Sequence, residues 1–135
     1  MVKVLTFGVF DYFHYGHLRL LERAKTYGDY LIVAVQEDDE IYKTKPNTKV
    51  LYDLDKRMAM IRALRCVDET ISYKQVVDDV KLINFDVLVV GGDQNHRGIL
   101  QAIEWCSRNN KRVVYLDRTP GISSSAIKST LKNLP

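Results

Sequence analysis

The chain has 135 residues, of which 46% are hydrophobic and 27% charged, and its formal net charge is +3 at pH 7. These values predict one globular domain over residues 1–135 and exclude a disordered chain or two full-sized domains. A charge of +3 suits an anionic substrate, but no Lys- or Arg-dense run indicates a nucleic-acid partner.

The two cysteines, Cys66 and Cys106, form no CxxC pattern, so we interpret them as reduced core residues. The chain begins with a strand-like run rather than the apolar segment of a signal peptide, and no apolar stretch is long enough to cross a membrane. We therefore expect a cytoplasmic protein without a membrane partner.

Short segments rich in Val, Ile, Leu and Tyr alternate with segments of helical periodicity along the chain. In order, the first half predicts a strand at 2–7, a helix with Leu20, Leu21, Ala24 and Tyr27, a strand at 30–35, and a helix with Leu54, Met58, Ile61 and Leu64. The second half predicts a strand at 69–73, a helix with Val76, Val77, Val80 and Ile83, a strand at 87–90, a helix with Ile99, Ile103 and Cys106, a strand at 112–116, and a helix with Ile127 and Leu131. This alternation predicts an α/β fold with a doubly wound, parallel, five-stranded sheet flanked by helices.

Ligands of such sheets bind beyond the carboxyl ends of the strands, where the strand order reverses. The segments that follow the strands are 8–17, 36–52, 91–97 and 117–125. Segment 36–52 is long for a connection and carries Lys43, Lys45 and Lys49, which is typical of a lid or binding loop.

Segment 8–17 ends in His14-Tyr15-Gly16-His17 and runs into the first helix. A helix N-terminus attracts anions through its free N–H groups and its dipole. Gly16 is expected to let a phosphate approach the backbone, and both imidazoles can donate hydrogen bonds to phosphate oxygens. Structural histidines are the plainer interpretation. A zinc pair is a rival, but it needs a third ligand that only His96 or the cysteines offer, so we predict no metal site here.

Segment 117–125 opens the last helix with hydroxyl groups and backbone amides that suit phosphate oxygens. Arg118 adds a permanently charged guanidinium that can bind phosphate in a bidentate manner. Helix capping by Ser123 is the plainer interpretation, and both can hold at once.

Three motifs resemble one family. Residues 14–17 match the HxGH signature of the nucleotidyltransferase superfamily, residues 118–124 (RTPGISS) resemble the RTxGIS[TS] element of its cytidylyltransferases, and residues 65–69 (RCVDE) resemble their RYVDE motif. The motifs follow the family's order over nearly the whole chain. The opening 6–11 (TFGVFD) is most similar to the glycerol-3-phosphate branch, small bacterial enzymes that make CDP-glycerol for cell-surface polymers.

The resemblance implies transfer of CMP from CTP to a phosphorylated alcohol with release of pyrophosphate, Mg²⁺ bound with the triphosphate, and a homodimer. The implied catalytic residues are His14, His17, Lys45 and Arg118. The implied CTP site comprises these four with Val9, Phe10, Asp11, Tyr15, Gly16, Asp93, Thr119, Gly121, Ile122, Ser123, Ser124 and Ser125. The implied acceptor site comprises Lys43, Arg57, Arg65 and Asp68, and Lys74 is a further candidate.

The chain departs from the family pattern at Val9, where many members have Thr, and at Pro120, where Glu is common. Gly91-Gly92-Asp93 resembles adenylyltransferases that act on heptose phosphate or flavin mononucleotide. The open alternatives are therefore another phospho-alcohol or sugar phosphate as acceptor, an adenylyltransferase, and a non-catalytic nucleotide-binding module. A flavodoxin-like redox protein is weaker, because the first loop lacks a Gly/Ser/Thr-rich phosphate cradle.

Overall fold

A computed structural model of the protein describes residues 1–92 and 94–134, so the prediction for Asp93 lies outside the described residues. Five parallel strands form one sheet in the order β3-β2-β1-β4-β5. They are β1 (Lys3–Gly8), β2 (Tyr30–Gln36), β3 (Glu69–Tyr73), β4 (Val87–Gly91) and β5 (Arg112–Leu116). The chain builds the sheet outward from β1 to β3 and then returns to place β4 on the other side of β1. This confirms the predicted doubly wound fold and puts its reversal point between β1 and β4.

In the described residues, the helices that flank the sheet are α1 (Tyr15–Lys25), α2 (Asp38–Thr44), α3 (Leu54–Arg62), α4 (Val76–Asp79), α5 (Arg97–Arg108) and α6 (Ser124–Lys132). In the described part of the chain, no helix is long and apolar enough to span a membrane.

Two helices differ from the sequence prediction. Helix α2 lies in segment 36–52, where the sequence predicted a loop. Ile41 is the one buried apolar residue of this helix, so its sequence has no apolar stripe that would indicate a helix. Helix α4 is a single turn, shorter than the predicted stripe, and Asp79 folds back so that its carboxylate accepts hydrogen bonds from the backbone N–H groups of Lys74 and Gln75. The two valines that open α4 are β-branched and favour helix weakly.

The core has two layers because alternate side chains of each strand point to opposite faces. Leu5, Phe7 and Leu88 pack with Cys106 of α5 on one face. Val4 belongs to the layer of α1 and α3 on the other face. Cys106 is fully buried and free, as predicted, and burial raises the pKa of its thiol to about 11.

Candidate active site

A cavity of about 220 Å³ lies at the carboxyl ends of β1, β4 and β5, between α1 and α6. Its lining residues are His14, Gly16, His17, Leu20, Gly91, Gly92, Asp117, Arg118, Thr119, Ile122, Ser123, Ser124 and Ser125. We call this cavity the histidine pocket. It brings together the two post-strand segments that carry the predicted histidines and the predicted phosphate-binding residues, at the reversal point that the fold leads one to expect.

The two histidines cap the first turn of α1 reciprocally. His14 is the N-cap, and its Nδ1 accepts a hydrogen bond from the backbone N–H of His17 at 3.4 Å. The Nδ1 of His17 accepts one from the backbone N–H of His14 at 3.2 Å. Such a capping box is usually made by Ser or Thr with Glu or Gln. Since each Nδ1 is an acceptor, the proton of each neutral ring is on Nε2, and both imidazoles are fixed as Nε2–H donors.

The environment of His17 keeps this ring neutral. Burial, and then the neighbouring His14, lower its pKa to about 4, although Asp11 acts in the opposite direction. The ring is stacked on His14 with centroids 3.8 Å apart, and the edge-on ring of Phe10 and the ring of Phe13 enclose it. At neutral pH His17 is therefore a hydrogen-bond donor without a positive charge.

The structure gives Gly16 a steric role. A Cβ atom at this position would lie 2.9 Å from Cε1 of the His14 ring and 3.4 Å from Cγ2 of Ile122. The missing side chain is therefore needed because His14 folds back over this position and the loop before α6 packs against it. The prediction from the sequence, that the absent side chain lets a phosphate approach the backbone, stays a prediction. The neighbouring Tyr15 is mostly exposed.

Asp11 acts as a scaffold in this structure. Its buried carboxylate accepts hydrogen bonds from the backbone N–H groups of Leu51 at 2.7 Å and Tyr52 at 3.2 Å. Its carbonyl oxygen accepts from the hydroxyl of Ser124 at 3.1 Å. The resemblance implies a place for Asp11 in the CTP site, which stays a prediction. In the structure its carboxylate joins the end of segment 36–52 to segment 8–17, which we call the histidine segment.

Arg57 is fully buried, with 0% of its side chain exposed. Its guanidinium donates to three carbonyl oxygens, those of Tyr52, Val9 and Gln36, each at 2.9 Å, and forms an ion pair with Asp38. The guanidinium predicted to contact the acceptor is thus occupied by groups of the protein itself. The Arg57 side chain thereby joins three stretches of backbone: the one after β1, the end of β2 and the one before α3. Val9 takes part through its carbonyl group.

Helix α6 closes the other side of the pocket. Ser123 is its N-cap and accepts from the backbone N–H of Ala126 at 3.0 Å, so the capping interpretation is confirmed. The Lys128 ammonium lies 5.0 Å from the centroid of the Tyr12 ring and further attaches α6 to the histidine segment. Gly121 has a φ of +80°, a conformation that favours glycine, at the turn leading into this helix.

Two contributors at the end of β4 were missed in the sequence. A Cβ atom on Gly92 would lie 3.2 Å from the carbonyl oxygen of Leu116 and 3.3 Å from the backbone N of Arg118. Both distances are shorter than ordinary van der Waals contacts, so a side chain here would push the ends of β4 and β5 apart. Gln94 accepts from the N–H of Gly91 at 2.9 Å and donates to the carbonyl of Phe7 at 2.8 Å, which joins the ends of β4 and β1. The one sequence feature that could have predicted a role for Gly92 and Gln94 at the pocket edge is their position in segment 91–97, which follows β4.

The comparisons with known proteins agree with this geometry. The model of the family described as cytidylyltransferase-like matches residues 5–130. The chain belongs to the cytidylyltransferase-like family. This membership confirms the resemblance that the three motifs indicated and the predicted class of enzyme.

Relatives of this family member match over nearly its full length. The glycerol-3-phosphate cytidylyltransferase of Bacillus subtilis (strain 168) is 37% identical over 137 residues, covering 99% of this chain and 100% of the relative. That of Staphylococcus aureus (strain NCTC 8325 / PS 47) is 39% identical over 134 residues, covering 97% and 96%. Among solved structures, the lipopolysaccharide core biosynthesis protein of Thermoplasma volcanium GSS1 is similar with a TM-score of 0.71 and 26% identity, over 88% of this chain and 97% of the other.

Lys43 and Lys45 of this cytidylyltransferase-like chain are not part of the lining of the histidine pocket. Lys43 is on α2, with 68% of its side chain exposed, and pairs with Glu40 at 3.0 Å. Lys45 is the C-cap of α2. Burial and the nearby charge of Lys45 both lower the pKa of His96, so the segments after β2 and β4 approach each other at this edge.

Two residues predicted to bind the acceptor substrate, Arg65 and Asp68, lie away from the histidine pocket. Asp68 accepts from the backbone N–H of Leu31 at 2.7 Å, near the start of β2, and pairs with Lys25. Arg65 is exposed and lines an open cleft beside α1 that also contains Glu22. The RCVDE segment precedes β3, and in a parallel sheet it therefore meets the amino ends of the strands. Neither Arg65 nor Asp68 lines the histidine pocket of its own chain, and their contact with an acceptor stays a prediction.

Proposed function

We propose that this protein transfers CMP from CTP to glycerol 3-phosphate, giving CDP-glycerol and pyrophosphate. The observation that carries the reaction type is the pair of reciprocally capped histidines, which presents two fixed Nε2–H donors to a pocket at a helix N-terminus. The similarity of nearly the whole chain to proteins named glycerol-3-phosphate cytidylyltransferase supports the choice of substrates.

In the proposed reaction, an oxygen of the acceptor phosphate attacks the α-phosphorus of CTP in line with the leaving group. One P–O bond forms to the acceptor, and the bond between the α-phosphorus and the bridging oxygen breaks to release pyrophosphate. Negative charge develops on the equatorial oxygens and on the bridging oxygen, where fixed N–H donors stabilise the transition state most. His14 and His17 supply these donors. Because the pKa of His17 is about 4, this ring acts by hydrogen bonding and gives up no proton.

The opposite wall is suited to the β- and γ-phosphates. Arg118 and Thr119 line the pocket together with the serines at the start of α6. The dipole and free N–H groups of this nine-residue helix favour anions at the same place. Lys45, the C-cap of α2, would neutralise further charge of the triphosphate.

We also propose that Mg²⁺ enters with the triphosphate. Within residues 1–92 and 94–134, no group of three or more His, Cys, Asp or Glu side chains could hold a metal ion. The lining residues include Asp117, Thr119 and three serines, oxygen-bearing side chains that fit an ion bound mainly through phosphate oxygens and water. When bound, Mg²⁺ would neutralise charge on the triphosphate. A homodimer, a cytoplasmic location and a role in making cell-surface polymers complete the proposal.

An adenylyltransferase is the second candidate function. Gly92 favours it, because the chain resembles adenylyltransferases at Gly91-Gly92-Asp93. The structure gives Gly92 a steric reason that is independent of the base, namely the close approach of the β5 end. We therefore keep CTP as the proposed nucleotide.

The test is a panel assay of pyrophosphate release. Each of CTP, ATP, GTP and UTP is combined with glycerol 3-phosphate, ribitol 5-phosphate, phosphoethanolamine, a heptose phosphate and flavin mononucleotide. We expect CTP with glycerol 3-phosphate to have the highest kcat/KM. Turnover with ATP but not with CTP would refute the base assignment, and preference for another acceptor would refute the substrate.

Variants test the catalytic assignment in the same assay. His14→Ala and His17→Ala should each lower kcat by about 10²- to 10³-fold, whereas His96→Asn is the matched control and should keep the wild-type kcat. His96 lies outside the pocket lining, and Asn retains its N-cap role on α5. Full activity of both alanine variants would refute the proposed catalytic role of the histidines.

A further inference from the structure

Glu40 is a buried acid that the proposed mechanism does not use. It is 8% exposed, and the buried polar residues among those described also include Thr6, Asp11 and Arg57. Structural roles account for these three: Thr6 donates to the Val89 carbonyl, Asp11 holds segment 36–52, and Arg57 holds three carbonyl groups. Glu40 has no comparable backbone partner.

The carboxylate of Glu40 instead organises side chains from two post-strand segments. One oxygen accepts from the Lys43 ammonium at 3.0 Å, and the other accepts from the Gln75 amide at 2.6 Å. The hydrogen bond from Lys43 and then that from Gln75 lower the pKa of Glu40 against the effect of burial, and the positive charge of Lys74 contributes in the same direction. Glu40 is thus a fixed anion with two lysines beside it.

The cluster of Glu40, Lys43, Lys74 and Gln75 is built from the segments that follow the carboxyl ends of β2 and β3. Helix α2 carries Glu40 and Lys43 and is attached at Asp38 to Arg57, whose guanidinium also binds the carbonyl of Val9. Lys74 and Gln75 follow the carboxyl end of β3, which is separated from β1 by one strand, or about 10 Å across the sheet. The cluster therefore lies at the same edge of the sheet as the pocket.

We propose that Glu40 is a positioning residue for the acceptor, holding Lys43 with Lys74 beside it so that both ammonium groups receive the acceptor phosphate. An exposed lysine loses considerable rotamer freedom when it binds a ligand. The pair with Glu40 restricts Lys43 beforehand, and the ammonium group keeps two further donors for phosphate. Gln75 fixes the other carboxylate oxygen, so the position of Lys43 is set from β3 as well as from α2.

The inference rests on the proposed function, because it assigns the acceptor side of that reaction. Its test compares Glu40→Gln with Asp39→Asn as the matched control. Asp39 is exposed on the same helix and its charge also acts on Lys43, but it forms none of the ion pairs among the described residues. The KM for glycerol 3-phosphate is measured at saturating CTP, and the KM for CTP at saturating acceptor.

For Glu40→Gln we expect the acceptor KM to rise about threefold to fivefold, the range of a weak ion pair, with kcat and the KM for CTP unchanged. Gln75→Leu should change the acceptor KM in the same direction. In a Lys43→Ala background Glu40→Gln should have little further effect, because Glu40 acts through Lys43. Thermal unfolding followed by circular dichroism checks that each variant is folded.

An unchanged acceptor KM in both Glu40→Gln and Gln75→Leu would overturn the inference. A lowered acceptor KM would also overturn it, since Glu40 would then hold Lys43 away from the substrate. If the wild type is active only with another nucleotide or acceptor, the proposed function fails alone, and the same KM measurements with that pair decide the role of Glu40. A wild type that turns over no pair would refute both.

Discussion

His14 and His17 both cap α1, and the proposed function gives each a chemical role as well; substitutions can separate the two. His14→Ala removes a capping acceptor of α1 and the ring stacked on His17, whereas Asn is among the preferred N-cap residues and can retain the hydrogen bond. His17→Ala removes the second half of the capping box, whereas Gln is common at that position. Neither Asn nor Gln reproduces the fixed Nε2–H donor.

The structure sets the size of both effects. Loss of the cap at His14 costs about 1 kcal/mol, and loss of the stacked ring adds about 0.5–1 kcal/mol. For a domain of this size, the sum lowers the Tm of His14→Ala by roughly 6 °C. Loss of a donor aimed at the transition state lowers kcat by about 10²- to 10³-fold, and this loss should be equal for His14→Ala and His14→Asn.

The assay pairs pyrophosphate release with thermal unfolding on the same preparations. We expect His14→Asn and His17→Gln to melt close to the wild type and to be as inactive as the alanine variants. If His14→Asn turned over within about fivefold of the wild type, the imidazole would have no chemical role of the size expected. If His14→Ala melted with the wild type, the capping box would not contribute to stability.

Three further predictions concern acid stability, the buried arginine and the pocket wall. The pKa of His17 is about 4 in the folded protein and about 6.5 when unfolded, so the unfolded state binds more protons between these values and stability falls as pH falls from about 6.5 to 4, by up to about 3 kcal/mol; urea unfolding at both ends of the range should give a smaller difference for His17→Gln, and an equal difference would contradict the pKa. Arg57→Ala should lower the free energy of unfolding by about 3–5 kcal/mol in urea, because it leaves buried carbonyl groups and Asp38 unpaired, and a loss below about 1 kcal/mol would deny it the clamping role. Gly92→Ala should raise the KM for CTP several-fold with little change in Tm, since the added Cβ displaces the Leu116 backbone at the pocket wall; an unchanged KM would show that this wall does not contact the nucleotide.

The sequence determined the fold and the location of the pocket through local patterns. Apolar runs and helical stripes predict the five parallel strands within one or two residues, because both periodicities follow from which side chains a covered sheet must bury. The position of the histidines after β1 and of Arg118 after β5 then placed them at one edge, since parallel strands end together. Helix α2 escaped this reasoning because it is short and buries little.

What the tertiary structure decided is the task of each polar side chain. The resemblance implies both Arg57 and Arg65 in the acceptor site, yet one is buried among carbonyl groups and the other is exposed at the amino end of the sheet. Gly16 proved to make room for the His14 ring, and the Nδ1 atoms of the two histidines proved to be occupied by backbone N–H groups. Such roles depend on which groups meet across long sequence separations, as with Glu40 and Gln75. They also depend on which polar groups are buried, because buried donors and acceptors must form hydrogen bonds. Neither the contacts nor the burial can be read from a residue's type and spacing, so these roles are known only from the folded chain.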